Sequence, residues 1–302
     1  MKKCNSNIGL VLINYNGLDD TKECLKSINK FYSHIEKLQI ILVDNNSHIT
    51  LKDSYLDNLD LNIVHIKNHM NKGFTGGNNI GIKKAIEDGC EYIALINNDT
   101  VFVDDSLLKV VNCLKDSSNF GIIGMINYYY SKPKKVWQAG FRSNLFLGYS
   151  KKIKTNNNFM TIVPVDYVPG SSMVIRKSVF EENGFFDERY FAYFEEYDFC
   201  IRAKKKKMNI GFLNGTKILH KVGKSSTSSI KLYFRTRNKL LLYHKHGSAL
   251  GFFIAFTLHL IISIKRIVFS KKDKGKLIKA FLFGFKDYHN EYFYRGSIEN
   301  IK

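Results

Sequence analysis

Short, unbroken apolar runs, each closed by asparagine or aspartate, mark out the first hundred residues. Ile8 to Asn14 is one, Gln39 to Val43 a second, Asn62 to Ile66 a third and Tyr92 to Ile96 a fourth. Runs this short and this uniformly apolar read as buried strands. Between the first two, Leu18, Leu25, Ile28 and Phe31 recur at roughly helical spacing. A further helix is expected after the glycine-rich stretch Gly73 to Asn79, ending near Asp88-Gly89. Strand, helix, strand, helix at this spacing predicts an α/β chain with a parallel sheet covered on both faces. Polar residues just past the strand ends of such a sheet gather along one edge, where ligands bind. Here they are Asn14, Asn16, Asp44, Asn45 and Asp99.

The later chain is less regular. Residues 120–165 read as short strands and loops and hold Trp137, the single tryptophan. Gly170 to Arg176 reads as a strand, and Phe191 to Arg202 opens a helix that ends in four lysines.

Several clusters can carry chemistry. A carboxylate at a strand end, as in Asn97-Asn98-Asp99, can hold a hard divalent cation that bridges phosphate oxygens. The same residues also make a turn or a helix cap. The glycine-rich stretch either lets backbone approach phosphate or forms a turn, and it matches neither the dinucleotide fingerprint nor the P-loop. Glu195, Glu196 and Asp198 crowd three acids into four residues. On a helix, 195 and 198 share a face while 196 points elsewhere. Crowded carboxylates raise one another's pKa, which suits a general base, and acids at a helix start also complement its dipole. His220 becomes a ligand candidate only if the fold returns it to Asp99.

Taken in order, these segments resemble glycosyltransferase family 2, in its rhamnosyltransferase-like branch of bacterial polysaccharide synthesis. The matching pieces are Val11 to Gly17, Val43 to Ser47, Asn71 to Asn79, Leu95 to Thr100, Gly170 to Met173 and Gly184 to Arg189. They continue with Phe194 to Asp198 plus Arg202, and with His220, Gly223 and Ser225, so the similarity spans roughly residues 8–240. The resemblance implies the A-type glycosyltransferase fold, a Rossmann-like mixed sheet flanked by helices with an acceptor-binding second half, and the composition of the last third adds a C-terminal basic, amphipathic helical extension. It implies an inverting, metal-dependent transferase taking a nucleotide-diphospho-sugar donor and a saccharide acceptor. Donor contacts are expected from Asn14, Asn16, Asp44, Asn71, Gly77, Asn78 and Asn98, with Asp44 on the pyrimidine and Asn16 on the nucleoside. Asp99 and His220 are expected to hold Mg2+ or Mn2+. Glu196 stands where the family has its catalytic Asp, with Glu195 and Asp198 as the alternative bases. Two positions depart from the pattern: Asn97 replaces a frequent Asp, and Glu196 is one methylene longer than Asp. A displacement of about 1 Å in a catalytic group can cost about a hundredfold in rate, so the backbone there has to compensate.

Charge divides the chain. Residues 1–202 carry 24 Lys/Arg against 23 Asp/Glu, whereas residues 203–302 carry 22 against 4. The imbalance calls for an anionic partner of the last third alone. Ala249 to Ile264 contains no Asp, Glu, Lys or Arg, and His259, Ser263, Arg266 and Ser270 then mark a polar stripe. Leu277 to Phe285 is a second apolar segment set among lysines. An apolar face edged with lysines suits a helix lying in the surface of an anionic membrane. Nucleic acid is not expected, since no recognition motif is present. The expected organisation is a catalytic domain over 1–240, with a nucleotide half to about 119 and an acceptor half beyond, followed by a membrane-associating tail over 241–302. Five scattered cysteines (Cys4, Cys24, Cys90, Cys113 and Cys200) read as free thiols, and the N-terminal apolar segment is too short for a signal peptide. The expected site of action is the cytoplasmic face of the membrane, on a lipid-linked acceptor. Two other readings share the sheet: a non-catalytic sugar-nucleotide-binding scaffold, and a sugar-phosphate nucleotidyltransferase. The second calls for a basic, glycine-rich loop after the first strand, where this chain has Asn14-Tyr15-Asn16-Gly17.

Overall fold

The computed structural model describes residues 7–156, 160–222, 227–270 and 273–301; Cys4, Gly223 and Ser225 lie outside them. The chain begins β1 (Ile8–Asn14), α1 (Leu18–Tyr32), β2 (Leu38–Asp44), α2 (Asp53–Leu56), β3 (Asn62–Lys67), α3 (Gly73–Glu87) and β4 (Tyr92–Asn97). It continues with β5 (Thr100–Phe102), α4 (Ser106–Asp116), β6 (Phe120–Gly124), β7 (Asn127–Tyr129) and β8 (Lys132–Gln138). A hairpin of β9 (Phe141–Asn144) and β10 (Tyr149–Lys152) precedes β11 (Ile162–Pro164) and β12 (Ser172–Arg176). Then come α5 (Lys177–Asn183), α6 (Glu195–Lys205), β13 (Asn209–Leu213), β14 (Ile218–His220), α7 (Ser228–His246), α8 (Ala249–Val268) and α9 (Lys274–His289).

Eight strands form the main sheet in the order β11-β13-β6-β12-β4-β1-β2-β3. Strands β3, β2, β1 and β4 are parallel, as their apolar runs predict. Strand β12 is antiparallel to both β4 and β6, so the sheet is mixed, as the A-type resemblance implies. The reason is connectivity: after β4 the chain makes no single helical crossover but detours through a smaller sheet, β5-β14-β7-β8.

Alternation along β1 sorts its side chains between two cores. Ile8, Leu10 and Leu12 pack with Leu25 and Ile28 of α1 and with Leu107 and Val111 of α4. Val11 points the other way, among Ile82 of α3, Val179 and Phe180 of α5, and Phe199 of α6. The four described cysteines are free, and burial pushes the thiols of Cys24 and Cys200 up to about 12. They are packing groups rather than reactive ones.

The C-terminal helices depart from their expected orientation. Helix α7 is continuous across residue 240 and packs on the catalytic region through Leu241 and Leu242, beside Tyr190 and Tyr197. On α8 the buried residues are Gly251, Ala255, His259 and Ser263. The polar stripe read from the sequence therefore faces the protein, where His259 Nε2 lies 3.0 Å from Thr236 Oγ1 of α7. Small side chains and one polar pair let the two helices approach closely. The large apolar residues are left outside: Phe253 is 66% exposed and Ile262 61%. Among the described residues, α8 is the one helix long and apolar enough to cross a membrane, and 22% of its apolar window is buried.

Candidate active site

The sheet's carboxyl edge assembles the site. Asn14 and Asp44 are partners in the β1–β2 register, and Ile13 faces Asn97 of β4. Asn14 donates to Asp44 Oδ2 at 2.9 Å, and its own amide oxygen accepts from Gly17 N and Thr21 Oγ1, both at 3.1 Å. Asn98 closes the group by donating to Thr21 Oγ1 at 2.8 Å. Asn16 sits exposed above them with φ +55°, and its side-chain oxygen accepts from His48 N. Three predicted donor residues, Asn14, Asp44 and Asn98, thus form one hydrogen-bonded unit with Asn16 over it.

The glycine-rich stretch is neither turn nor cradle. It is the first two turns of α3. A Cβ at Gly77 would stand 3.2 Å from Ile13 and 3.3 Å from Asn45, so this glycine lets the helix lie close on the sheet. Asn78 is buried and donates to the carbonyl of Phe74 within its own helix. Gly77 thus serves the packing of α3 on the sheet, and the Asn78 amide is engaged within its own helix. Asn71 accepts from Gly73 N and Asn45 Nδ2, shaping the entry to the helix. Gly73 has φ +72°, and a Cβ there would collide with the Phe191 carbonyl.

His220 does return to Asp99. Strand β14 runs antiparallel to β5 with His220 opposite Thr100, which brings His220 Nε2 to 2.8 Å from Asp99 Oδ1. Trp137 lies against the imidazole, with ring centroids 4.6 Å apart. Two buried polar atoms here lack a protein partner, His220 Nδ1 and Asn97 Oδ1. Buried polar groups are nearly always hydrogen-bonded, so such orphans mark where a ligand belongs. Among the described residues no three His, Cys, Asp or Glu side chains come together. A carboxylate and an imidazole side by side still fit a divalent cation whose remaining ligands are diphosphate oxygens and water.

The three acids separate sharply. Glu195 and Asp198 are buried, while Glu196, the first residue after Glu195 on α6, is partly buried. Asp198 is a hub: Oδ1 meets Tyr190 OH, Lys245 Nζ and His246 Nε2, and Oδ2 accepts from Arg202 Nε at 2.8 Å. His246, Lys245 and Arg202 hold its carboxyl far below the usual range despite burial. A carboxylate so tied is an anchor, and it drops out as a candidate base. Burial pushes Glu195 well up, with the charge of Glu196 adding to the effect. Burial also raises Glu196, while a hydrogen bond from Glu195 and the charge of Arg235 draw it back. Both carboxyls are therefore held above the ordinary glutamate range, Glu195 the more strongly. Glu196 lies near the strand end that leads to Asp99: a Cβ on Gly170 would lie 3.6 Å from Glu196 Cβ, and the next residue, Ser171, accepts from Asn97 N at 3.1 Å.

What presents these acids is a turn in which Phe191, Tyr193 and Phe194 have φ of +61°, +71° and +74°. Left-handed backbone at bulky residues costs of order 1–3 kcal/mol each and persists only where the surroundings impose it. Helix α7 imposes it. Asn238 Nδ2 lies 2.8 Å from each of the carbonyls of Tyr190, Ala192 and Tyr193. The fully buried Arg237 reaches the carbonyls of Arg189, Tyr190 and Tyr294. From the other side Thr75 N donates to Phe191 O, and Asn79 bridges to Phe186 and Glu188. The sequence reading missed Asn79, Arg237 and Asn238. The signal was there in Arg235-Thr236-Arg237-Asn238-Lys239, five consecutive polar residues in the middle of the helix.

The sequence profile described as Glycosyl transferase family 2 matches residues 10–184. The chain is 27% identical over 283 residues to the low-salt glycan biosynthesis hexosyltransferase Agl10 of Haloferax volcanii, covering 88% of this chain and 86% of that one. It is 25% identical to the dTDP-rhamnosyl transferase RfbF of Shigella flexneri, covering 91% and 93%. Among solved structures, the mannosyltransferase PcManGT of Pyrobaculum calidifontis, in complex with GDP-Man and Mn2+, superposes with a TM-score of 0.59 at 14% identity, covering 94% of this chain and 82% of that one.

Proposed function

This chain belongs to glycosyl transferase family 2 and is a nucleotide-sugar glycosyltransferase with the A-type fold, and from that premise we propose a single-displacement, inverting transfer of rhamnose from dTDP-rhamnose to a lipid-linked saccharide in cell-surface polysaccharide synthesis. The observation that carries the reading is the Asp99–His220 contact, reached from the strand end near which Glu196 lies. Asp44 and Asn16 receive the nucleoside, with Asn14 and Asn98 holding Asp44 in place. Asp99 and His220 hold Mn2+ or Mg2+, and the bound ion supplies charge stabilisation to the diphosphate leaving group. Glu196 takes the proton of an acceptor hydroxyl as that oxygen attacks the anomeric carbon from the face opposite the diphosphate. Glu195 beside it is the more deeply buried carboxyl and acts on the proton affinity of Glu196. The name of the Shigella relative supports rhamnose, and the Mn2+ in the mannosyltransferase complex supports the ion.

The test is nucleoside diphosphate release from a panel of nucleotide-sugars, with Mn2+ or EDTA, by wild type and Asp99→Ala. Slow hydrolysis of dTDP-rhamnose, abolished by EDTA and by the substitution, is the expected result. Metal-dependent hydrolysis of another donor alone rules out rhamnose, and no metal-dependent binding of any donor removes the transferase mechanism.

The same reading sets the enzyme on the inner face of the cell membrane, with the outer apolar face of α8 in the bilayer and the lysines of α9 on anionic headgroups. Exposed side chains such as Phe253 and Ile262 on a helix whose polar stripe is already used support this. Burying each contributes about 1.5–3 kcal/mol. Phe253→Asp/Ile262→Asp is therefore expected to lower partition onto phosphatidylglycerol vesicles at least tenfold, as measured by sedimentation. Unchanged partition would place the membrane contact elsewhere.

A further inference from the structure

Three cations gather at the seam of α7 and α8. Lys231 and Arg235 lie one turn apart on α7, and Arg266 extends the α8 stripe that packs on α7. Helical register fixes where Arg235 sits. Its neighbour Thr236 meets His259 of α8, and Asn238, three residues on, holds the turn that presents Glu196. Arg235 thus occupies the strip of surface between the catalytic turn and the helix whose outer face is apolar. Its charge reaches both sides, acting on Glu196 and on Arg266. Burial and the charges of Arg235 and Arg266 together depress the Lys231 ammonium. No carboxylate among the described residues acts on Lys231 or Arg266. Gathered like charges destabilise a fold, and an anion bound among them removes that repulsion.

We propose that Lys231, Arg235 and Arg266 bind the phosphate or diphosphate that joins the acceptor saccharide to its lipid. This deepens the acceptor reading above and rests on it. The order of chemical surfaces carries the assignment: an apolar face on α8, then a cationic seam, then a carboxylate base. That is the order of lipid chain, diphosphate and sugar hydroxyl along such an acceptor. Arginine's planar fork matches phosphate oxygens, and the flanking cations complete the charge.

Binding of two micelle-borne probes to the full chain tests the assignment without turnover. The probes are dodecyl diphosphate and the uncharged dodecyl glucoside, carried in non-ionic micelles, against wild type, Arg235→Ala and Lys231→Ala/Arg266→Ala. Wild type is expected to prefer the diphosphate by about tenfold or more, and each variant to lose that preference to within about twofold. Circular dichroism and retained nucleoside diphosphate binding by each variant separate loss of the cationic site from loss of folding. A wild type without preference, or variants that keep it, overturns the proposal. Variants that lose nucleoside diphosphate binding in parallel assign the cations to the donor and also overturn it. Variants that keep the preference but leave phosphatidylglycerol vesicles assign them to bulk headgroups. Failure of donor hydrolysis in the wild type sinks the transferase mechanism instead, and leaves the probe ratio readable.

Discussion

Glu196→Gln is expected to lower transfer by about 10²- to 10⁴-fold while donor affinity stays within a few-fold. The amide keeps the shape of the side chain and its contact with Glu195 but cannot accept a proton. Glu195 and Asp198 are buried, whereas Glu196 is only partly so. The pair also predicts the pH profile. Burial raises the Glu196 carboxyl above the ordinary glutamate range, and the base must be ionised to work. Activity should therefore rise with pH along an acid limb lying above that of a free glutamate. Glu195→Ala removes the hydrogen bond that lowers Glu196, so it should move the limb higher still. Glu195→Gln retains a donor and should move it less. Initial rates against pH check all three. Wild-type activity rising through the ordinary carboxylate range and undiminished in Glu196→Gln would remove this residue as the base.

The second large effect is remote from the donor. Asn238→Ala is expected to lower kcat by about a hundredfold, with donor KM little changed. Asn238 lies 2.8 Å from three consecutive-region carbonyls, those of Tyr190, Ala192 and Tyr193, in a turn that three aromatic residues enter with positive φ. Released, the turn relaxes towards ordinary backbone and Glu196 leaves its place by the order of an ångström. This makes Asn238 a positioning residue, and the readout must differ from simple destabilisation. Loss of the turn separates Glu195 from Glu196, so the acid limb of the pH profile should shift together with kcat. Gln at 238 keeps an amide that reaches the same carbonyls and should recover part of the rate. A variant with normal kcat and only a lower melting temperature would show that the clamp serves stability alone.

Much of this architecture is readable in the chain before folding is considered. The apolar runs ending in Asn14, Asp44 and Asn97 are strands because both faces of the central sheet are buried, which leaves no alternation to confuse them. The edge they share is where the site lies. The His220 contact with Asp99 was conditional on topology, and the β5–β14 pairing supplies it. Other features are hidden for physical reasons. Gly77 and Asn78 have the composition of a phosphate cradle, but their role is set by how closely α3 approaches β1, which is tertiary. Helix α6 begins at Glu195 rather than near Phe191, because α7 holds the preceding residues left-handed from 45 or so positions away in sequence. On α8 the sequence shows a polar stripe correctly but cannot say which side faces the protein.

The measurement that bears most directly on the central claim is proton NMR of the sugar released during slow donor hydrolysis by the wild-type enzyme. One accessible base, with no carboxylate placed as a nucleophile, predicts that the first-formed anomer has the configuration opposite to the donor's, before mutarotation mixes the two. A first-formed anomer with the donor's own configuration would require a covalent glycosyl-enzyme, and would contradict the single displacement assigned to Glu196.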